Sequence, residues 1–262
     1  MSQDSLKSEI LGTSHIVYAV RDVAKAGRRL AGNGYAEHGS NVASPNPAAK
    51  APFIAGPLAD TAEMNLVVSA AGAPALEMTC EPASPGAPIF FEAVLSEEPL
   101  CDPAIVRAAL KEDPPEGLPG FRRPASVARA TGVGALVLHA CSEEATLGLW
   151  RTLGVEPEKA DGMLRLRVRG IRSSQRLHVY LRADRREAGI AHLNDGGVVC
   201  LSFFCKDADS LREALMRAGY EVGDCFDITP FDAPLRVFFM RNVSGEIYEF
   251  LSVSLRRSGG GA

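Results

Sequence analysis

His15 lies in the apolar, alternating run GTSHIVYAVRD (12–22), seven residues ahead of Asp22. An ionisable ring there is either a satisfied core or strand-end histidine or a metal ligand. Glu77 raises the same question, set between Leu76 and Met78 in PALEMTC. A carboxylate in an apolar strand needs a metal or an arginine beside it, because an unpaired buried charge is costly. Glu249, in EIYEFLSVS just after the turn NVSG, is a third such group. Imidazole nitrogen and carboxylate oxygen are donors that octahedral divalent metals accept, and open positions admit a substrate through two neighbouring oxygens. Arg165, Arg167, Arg169, Arg176 and Arg182 alternate in LRLRVRG and RLHVYLR. They read as a solvated sheet face or as a site for an anionic substrate.

The elements that would position these groups repeat. In residues 10–82 a period-two strand carries His15, Asp22 is the expected N-cap, VAKAGRRLAGNG is a helix ending at Gly/Asn, and two further strands follow. In residues 193–254 the order returns: strand VVCLSFFCKD, a helix capped by Asp207 or Asp209 and ended by Gly219, then three strands. Asp207 stands seven residues after Cys200, as Asp22 does after His15. A further copy spans 133–184, from VGALVLHAC through the helix SEEATLGLWRTLG to two alternating strands. Segment 83–132 is rich in Pro and Gly, with one short strand and one short helix, and reads as a linker or a degenerate unit. Residues 1–9 and 255–262 read as tails, the latter disordered. A unit that cannot bury its own sheet face must pair with another copy.

The chain has 262 residues, 46% of them hydrophobic, and a formal net charge of −4. That suffices for one large domain or two small ones. Basic residues are spread out, which argues against nucleic acid. The apolar stretches are far shorter than the roughly 20 residues of a membrane span, and MSQDSLKSEI lacks a signal-peptide core. A cytoplasmic location is the expectation. The six cysteines form no C-x-x-C pair and read as reduced, mostly buried thiols. No nucleotide-binding glycine loop, serine elbow or zinc-protease motif is present.

A tandem strand–helix–three-strand unit resembles the vicinal oxygen chelate superfamily, which includes glyoxalase I, extradiol dioxygenases and bleomycin-resistance proteins. HIVYAVRD (15–22) is similar to its first-strand pattern. SGEIYEF (244–250) is similar to its last-strand pattern and selects Glu249. GAPALEM (72–78) is similar with one extra residue and selects Glu77. FRRPASVARATGVGALVLHA (121–140) resembles the lead-in to a later unit of bacterial glyoxalase-like proteins. The resemblance implies an α+β fold in which tandem βαβββ modules form curved mixed sheets. It implies a divalent metal (Fe, Mn, Ni or Zn) held by His15, Glu77 and Glu249, with the two glutamates catalytic. Substrate contacts would come from Arg167, Tyr180 and Tyr248.

Departures keep alternatives open. Cys200 stands where the last unit should offer His, and its apolar setting disfavours a thiolate ligand. The middle unit offers Ala135 or Leu136 there. A rival set joins His139 and His178 to Glu249 as two His and one carboxylate, although His139 sits four residues late in its strand. His38 and His192 read as solvated loop residues. Two functions are therefore carried forward. One is a metal-dependent lyase, isomerase or dioxygenase acting on a small substrate chelated through vicinal oxygens. The other is a metal-free small-molecule binding protein of the bleomycin-resistance type. A weaker third reading makes 83–132 an interface of a larger complex, and a homodimer is expected.

Overall fold

The computed structural model describes residues 9–80, 89–171, 176–184 and 189–254. The two expected tails fall, apart from Glu9, outside the described residues. The first unit runs β1 (Ile10–Val20), α1 (Val23–Ala31), β2 (Tyr35–Pro45), β3 (Thr61–Ser69) and β4 (Ala75–Cys80). Asp22 caps α1, accepting from the Lys25 amide at 2.7 Å, which satisfies a backbone donor that the helix leaves free. His38 lies within β2 rather than in a loop, because the alternating pairing of β2 with β3 reaches past it.

Segment 83–132 supplies β5 (Phe91–Ser96), α2 (Pro103–Ala109) and β6 (Phe121–Arg122). The next unit is β7 (Gly132–His139), α3 (Glu143–Thr152), β8 (Pro157–Ala160), β9 (Met163–Arg169) and β10 (Arg176–Arg182). The last is β11 (Gly197–Cys205), α4 (Ala208–Arg217), β12 (Glu221–Val222), β13 (Phe226–Ile228), β14 (Leu235–Arg241) and β15 (Ile247–Val253). Asp207, not Asp209, caps α4, accepting from the Ser210 amide at 2.9 Å. Asp209 instead faces Arg236, with a 3.0 Å ion pair.

The protein is mixed α+β, with a large curved mixed sheet and few helices. The sheet has two halves. One runs β2-β3-β4-β1-β11-β15-β14, so the first and last units lie side by side through the antiparallel β1–β11 pair. The other runs β6-β5-β7-β10-β9-β8. The halves join along the sheet through the register pair of Val198 with Phe91 and the parallel bridge of Thr13 with Gly170.

Side chains add to that joint. Trp150 of α3 meets Phe203 of β11 and Tyr248 of β15 edge-on, at ring-centroid distances of 5.7 and 5.8 Å. Aromatic pairs at this spacing add to the burial of their large apolar surfaces. Beside them Glu246, fully buried, accepts from the Thr146 hydroxyl at 3.1 Å and from the Asn242 amide at 2.7 Å. The turn that aims Glu246 requires Gly245, whose φ is +98° and where a Cβ would strike the Gly189 carbonyl. Among the described residues no helix is long and apolar enough to cross a membrane.

Candidate functional site

Strand register brings the three expected ligands together. In β1, His15 pairs with Ala75, and Val17 with Glu77 of β4. In the last unit, Cys200 pairs with Ile247, and Ser202 with Glu249. The β1–β11 pairing sets Val17 opposite Cys200. Residues paired across strands share a face, so His15, Val17, Glu77, Cys200, Ser202 and Glu249 line one side of the sheet. Ile16 and Tyr18 lie on the opposite face, with Val23 and Leu30 of α1 in the same core.

His15 Nε2 stands 3.0 Å from Glu249 Oε2 and 3.4 Å from Glu77 Oε2. The Ser202 hydroxyl lies 3.0 Å from His15 Nε2 and also donates to Glu249 Oε2. His15 Nδ1 meets the Ser14 hydroxyl at 2.9 Å. His15 and Glu249 are 7% and 5% exposed, so these charges are settled by one another rather than by water.

Their proton affinities follow. Burial pulls the His15 imidazolium down, but Glu77 and then Glu249 more than offset it, and its pKa is raised. Burial pushes the Glu77 carboxyl up, and the nearby Glu249 charge adds to that, so it is raised despite His15. Burial also pushes Glu249, but His15 and the Ser202 hydroxyl win and hold it below the usual range. Cys200 is pushed well above the usual thiol value by burial and by the charges of Glu249 and Glu77. That environment disfavours the thiolate form.

The donor set fits a divalent cation. A neutral imidazole with two carboxylates carries two negative charges, which such an ion would balance. Donors sitting cis on an octahedral ion at about 2.1 Å stand about 3 Å apart, close to the His15–Glu249 separation of 3.0 Å. Among the described residues no three His, Cys, Asp or Glu side chains have the arrangement of a formed metal centre. The two glutamates instead meet His15 directly, as ion pairs at 3.0 and 3.4 Å.

A segment of the first unit covers the site. It forms a 3₁₀ turn, Ala48–Phe53. Phe53 packs against Phe239 at 5.7 Å, and Phe239 pairs with Glu249 across β14 and β15. Arg241 holds the segment down, with its guanidinium 5.1 Å from the Phe53 ring centroid and 3.0 Å from the Pro52 carbonyl. Asn194 closes it with hydrogen bonds to both backbone groups of Ala55, at 2.8 and 3.0 Å. Lys50 is near enough for its charge to favour the ionised forms of Glu77 and Glu249. The local sequence around Lys50, Phe53 and Arg241 carries no signal of their place at the site. Ser202 does carry one, standing two residues after Cys200 on the same face of its strand.

The structure does not assemble the rival set. His178 pairs with Ala135 and His139 with Arg182, four residues along the same strand pair, in the half of the sheet that lacks Glu249. His139 is held between Glu92 (2.9 Å) and Asp184 (3.0 Å). Nor are the expected substrate contacts at the cluster. Tyr248 is next to Glu249 in the strand and therefore faces the other way, fully buried against Trp150 and Phe91. Tyr180 is fully buried in the other half, its hydroxyl donating to the Leu100 carbonyl at 3.0 Å. Arg167 pairs with Glu158 at 2.9 Å on β9. His192 contacts Asp195 at 3.6 Å and is half-buried rather than free in solvent. A cavity of about 840 Å³ opens in that second half beside α2, and none of His15, Glu77 and Glu249 lines it.

No family model and no curated protein matches the sequence. Solved structures do. A dioxygenase-like protein from Bacillus subtilis aligns at a TM-score of 0.57 and 13% identity, over 94% of this chain and 86% of that one. Glyoxalase I from Zea mays aligns at 0.53 and 10% identity, over 92% of each chain. Identities this low speak to fold alone. The chain therefore has the vicinal oxygen chelate fold, the fold it shares with glyoxalase I.

Proposed function

We propose that this protein is a glyoxalase-like, divalent-metal-dependent enzyme acting on a small substrate that binds through two adjacent oxygens. The observation that carries the reading is the convergence of His15 with Glu77 and Glu249, at 3.4 and 3.0 Å, in a covered site. These three residues would hold the ion. The ion would supply Lewis-acid stabilisation of negative charge developing on a substrate oxygen.

The chain's own residues do the rest. Glu249 stays ionised, with the Ser202 hydroxyl fixing its Oε2. Glu77, whose carboxyl is pushed up by burial while that of Glu249 is held down, is the better suited of the two glutamates to accept a proton. Phe53 and Phe239 exclude water from above, which strengthens every electrostatic contact beneath them. Lys50 provides positive charge at the rim for an oxyanion-bearing substrate.

The neutral thiol of Cys200, at the register position matching His15, favours a second reading. With one imidazole fewer, the same covered cup would bind a small molecule without metal. The deciding experiment is elemental analysis after incubation with Fe(II), Mn(II), Ni(II) or Zn(II) and desalting. About one ion per chain, lost in His15→Ala and Glu249→Gln, supports the enzyme. No retained ion in the natural chain sinks it in favour of the metal-free binder.

A further inference from the structure

Cys101 and His178 take no part in the cluster around His15. Cys101 directly precedes Asp102, which caps α2, and is the exposed one of the six cysteines. Its Sγ lies 3.5 Å from His178 Nε2. His178 is 4% exposed, and its Nδ1 has no hydrogen-bond partner among the described residues. The buried ring is thus directed at the thiol. Among the described residues the thiol has one other neighbour to donate to, the Pro99 carbonyl at 3.7 Å.

The surroundings hold this pair in place. The Tyr180 hydroxyl donates to the Leu100 carbonyl at 3.0 Å, and Arg165 Nη1 donates to the Cys101 carbonyl at 2.9 Å. Arg165, itself paired with Glu158 at 2.9 Å, therefore fixes the backbone from which the thiol projects. Burial, then the charges of Arg165 and Arg167, lower the His178 pKa, so the ring rests neutral and readily passes on to solvent a proton it accepts. The other cysteines differ. Cys200 and Cys205 are buried, and burial pushes Cys205 and Cys225 up to about 12.

We propose that Cys101 is a nucleophilic modification site, with His178 as its proton acceptor, that forms covalent adducts with small soft carbon electrophiles. The Cys101 thiol proton passes to His178 Nε2, and the sulfur electron pair forms an S–C bond. With a haloacetamide the carbon–halogen bond breaks, halide leaves with its electron pair, and the imidazolium proton passes to solvent. This site is independent of any metal at His15.

The test is alkylation of the full chain by iodoacetamide at pH 7, quenched at intervals and read at each cysteine by peptide mass mapping. Cys101 is expected to react first, about tenfold faster in the folded chain than in the same chain unfolded in urea. A cysteine that is merely exposed reacts no faster folded than unfolded. His178→Asn is expected to slow Cys101 about fivefold or more. The proposal is overturned if Cys101 gains no rate on folding, if another cysteine leads, or if a folded His178→Asn variant labels at the natural rate. Should His178→Asn fail to fold, the folded-to-unfolded ratio in the natural chain decides alone.

Discussion

The two halves of the sheet are built on one plan and treat the same four positions in opposite ways. In the first half the β1–β4 and β11–β15 registers place His15, Glu77, Cys200 and Glu249 around one spot. In the second, β7 and β10 pair Ala135 with His178 and Val137 with Tyr180, so Ala135 stands for His15 and Tyr180 for Glu77. Glu92 pairs with Val137 as Cys200 does with Val17, and Arg122 pairs with Val94 as Glu249 does with Ser202. The second half thus offers one carboxylate and one guanidinium, already 2.6 Å apart. The rest of its cup is filled: Val106 and Ala109 of α2 form one apolar cluster with Val94, Ala135, Val137 and Tyr180. Under the proposed function the first half takes its cation from outside, whereas in the second half the chain supplies the cation itself.

The largest contrast is expected in metal retention. His15→Ala and Glu249→Gln should abolish it, whereas Glu92→Gln should leave it unchanged, as read by elemental analysis. Ser202→Ala, which only orients Glu249 and His15, should weaken metal affinity by about 10- to 100-fold rather than eliminate it. An unchanged affinity would mean that Ser202 does not act on the ligands.

Next in size is the second half's internal ion pair. Arg122→Ala leaves Glu92 buried with only His139 beside it, and should cost about 3 kcal/mol in urea unfolding. Arg122→Met combined with Glu92→Met should recover most of that loss. If the single variant is as stable as the natural chain, the pair does not hold this half together.

The pH response should separate the halves as well. His15 has a raised pKa in the metal-free protein. Its contribution is therefore full below the unfolded value of 6.5 and lost as pH rises through the folded value. Added metal must displace that proton, so metal affinity should rise with pH and calorimetry should record proton release. Glu92 is shifted down: burial opposes this, but His139 and Arg122 prevail. Its contribution is present above the unfolded value of 4.5 and lost as pH falls through the folded one. Arg122→Ala should flatten the acid limb of the melting profile and leave the neutral limb intact.

The smallest effect is expected at Tyr180→Phe, which removes the hydroxyl donated to Leu100 and should cost about 1 kcal/mol. It should also slow alkylation of Cys101, since Leu100 is the residue before it.

Local patterns determined a good deal. Period-two runs, helix caps at Asp22 and Asp207, and the repeated strand–helix–strand order led to the α+β fold, because these features depend on near neighbours in the chain. His15, Glu77 and Glu249 stood out as charged groups in apolar strands, because burial makes such residues costly without partners. Tertiary structure alone decided what those partners are. Which units lie side by side depends on β1–β11 register across nearly two hundred residues, and no local signal encodes that pairing. The same long-range packing turned Tyr248 into the aromatic core, set Arg122 against Glu92 and brought Cys101 to His178. Each of these outcomes rests on which faces of distant strands meet. A sequence states the alternation of faces, and only the folded sheet states what each face meets.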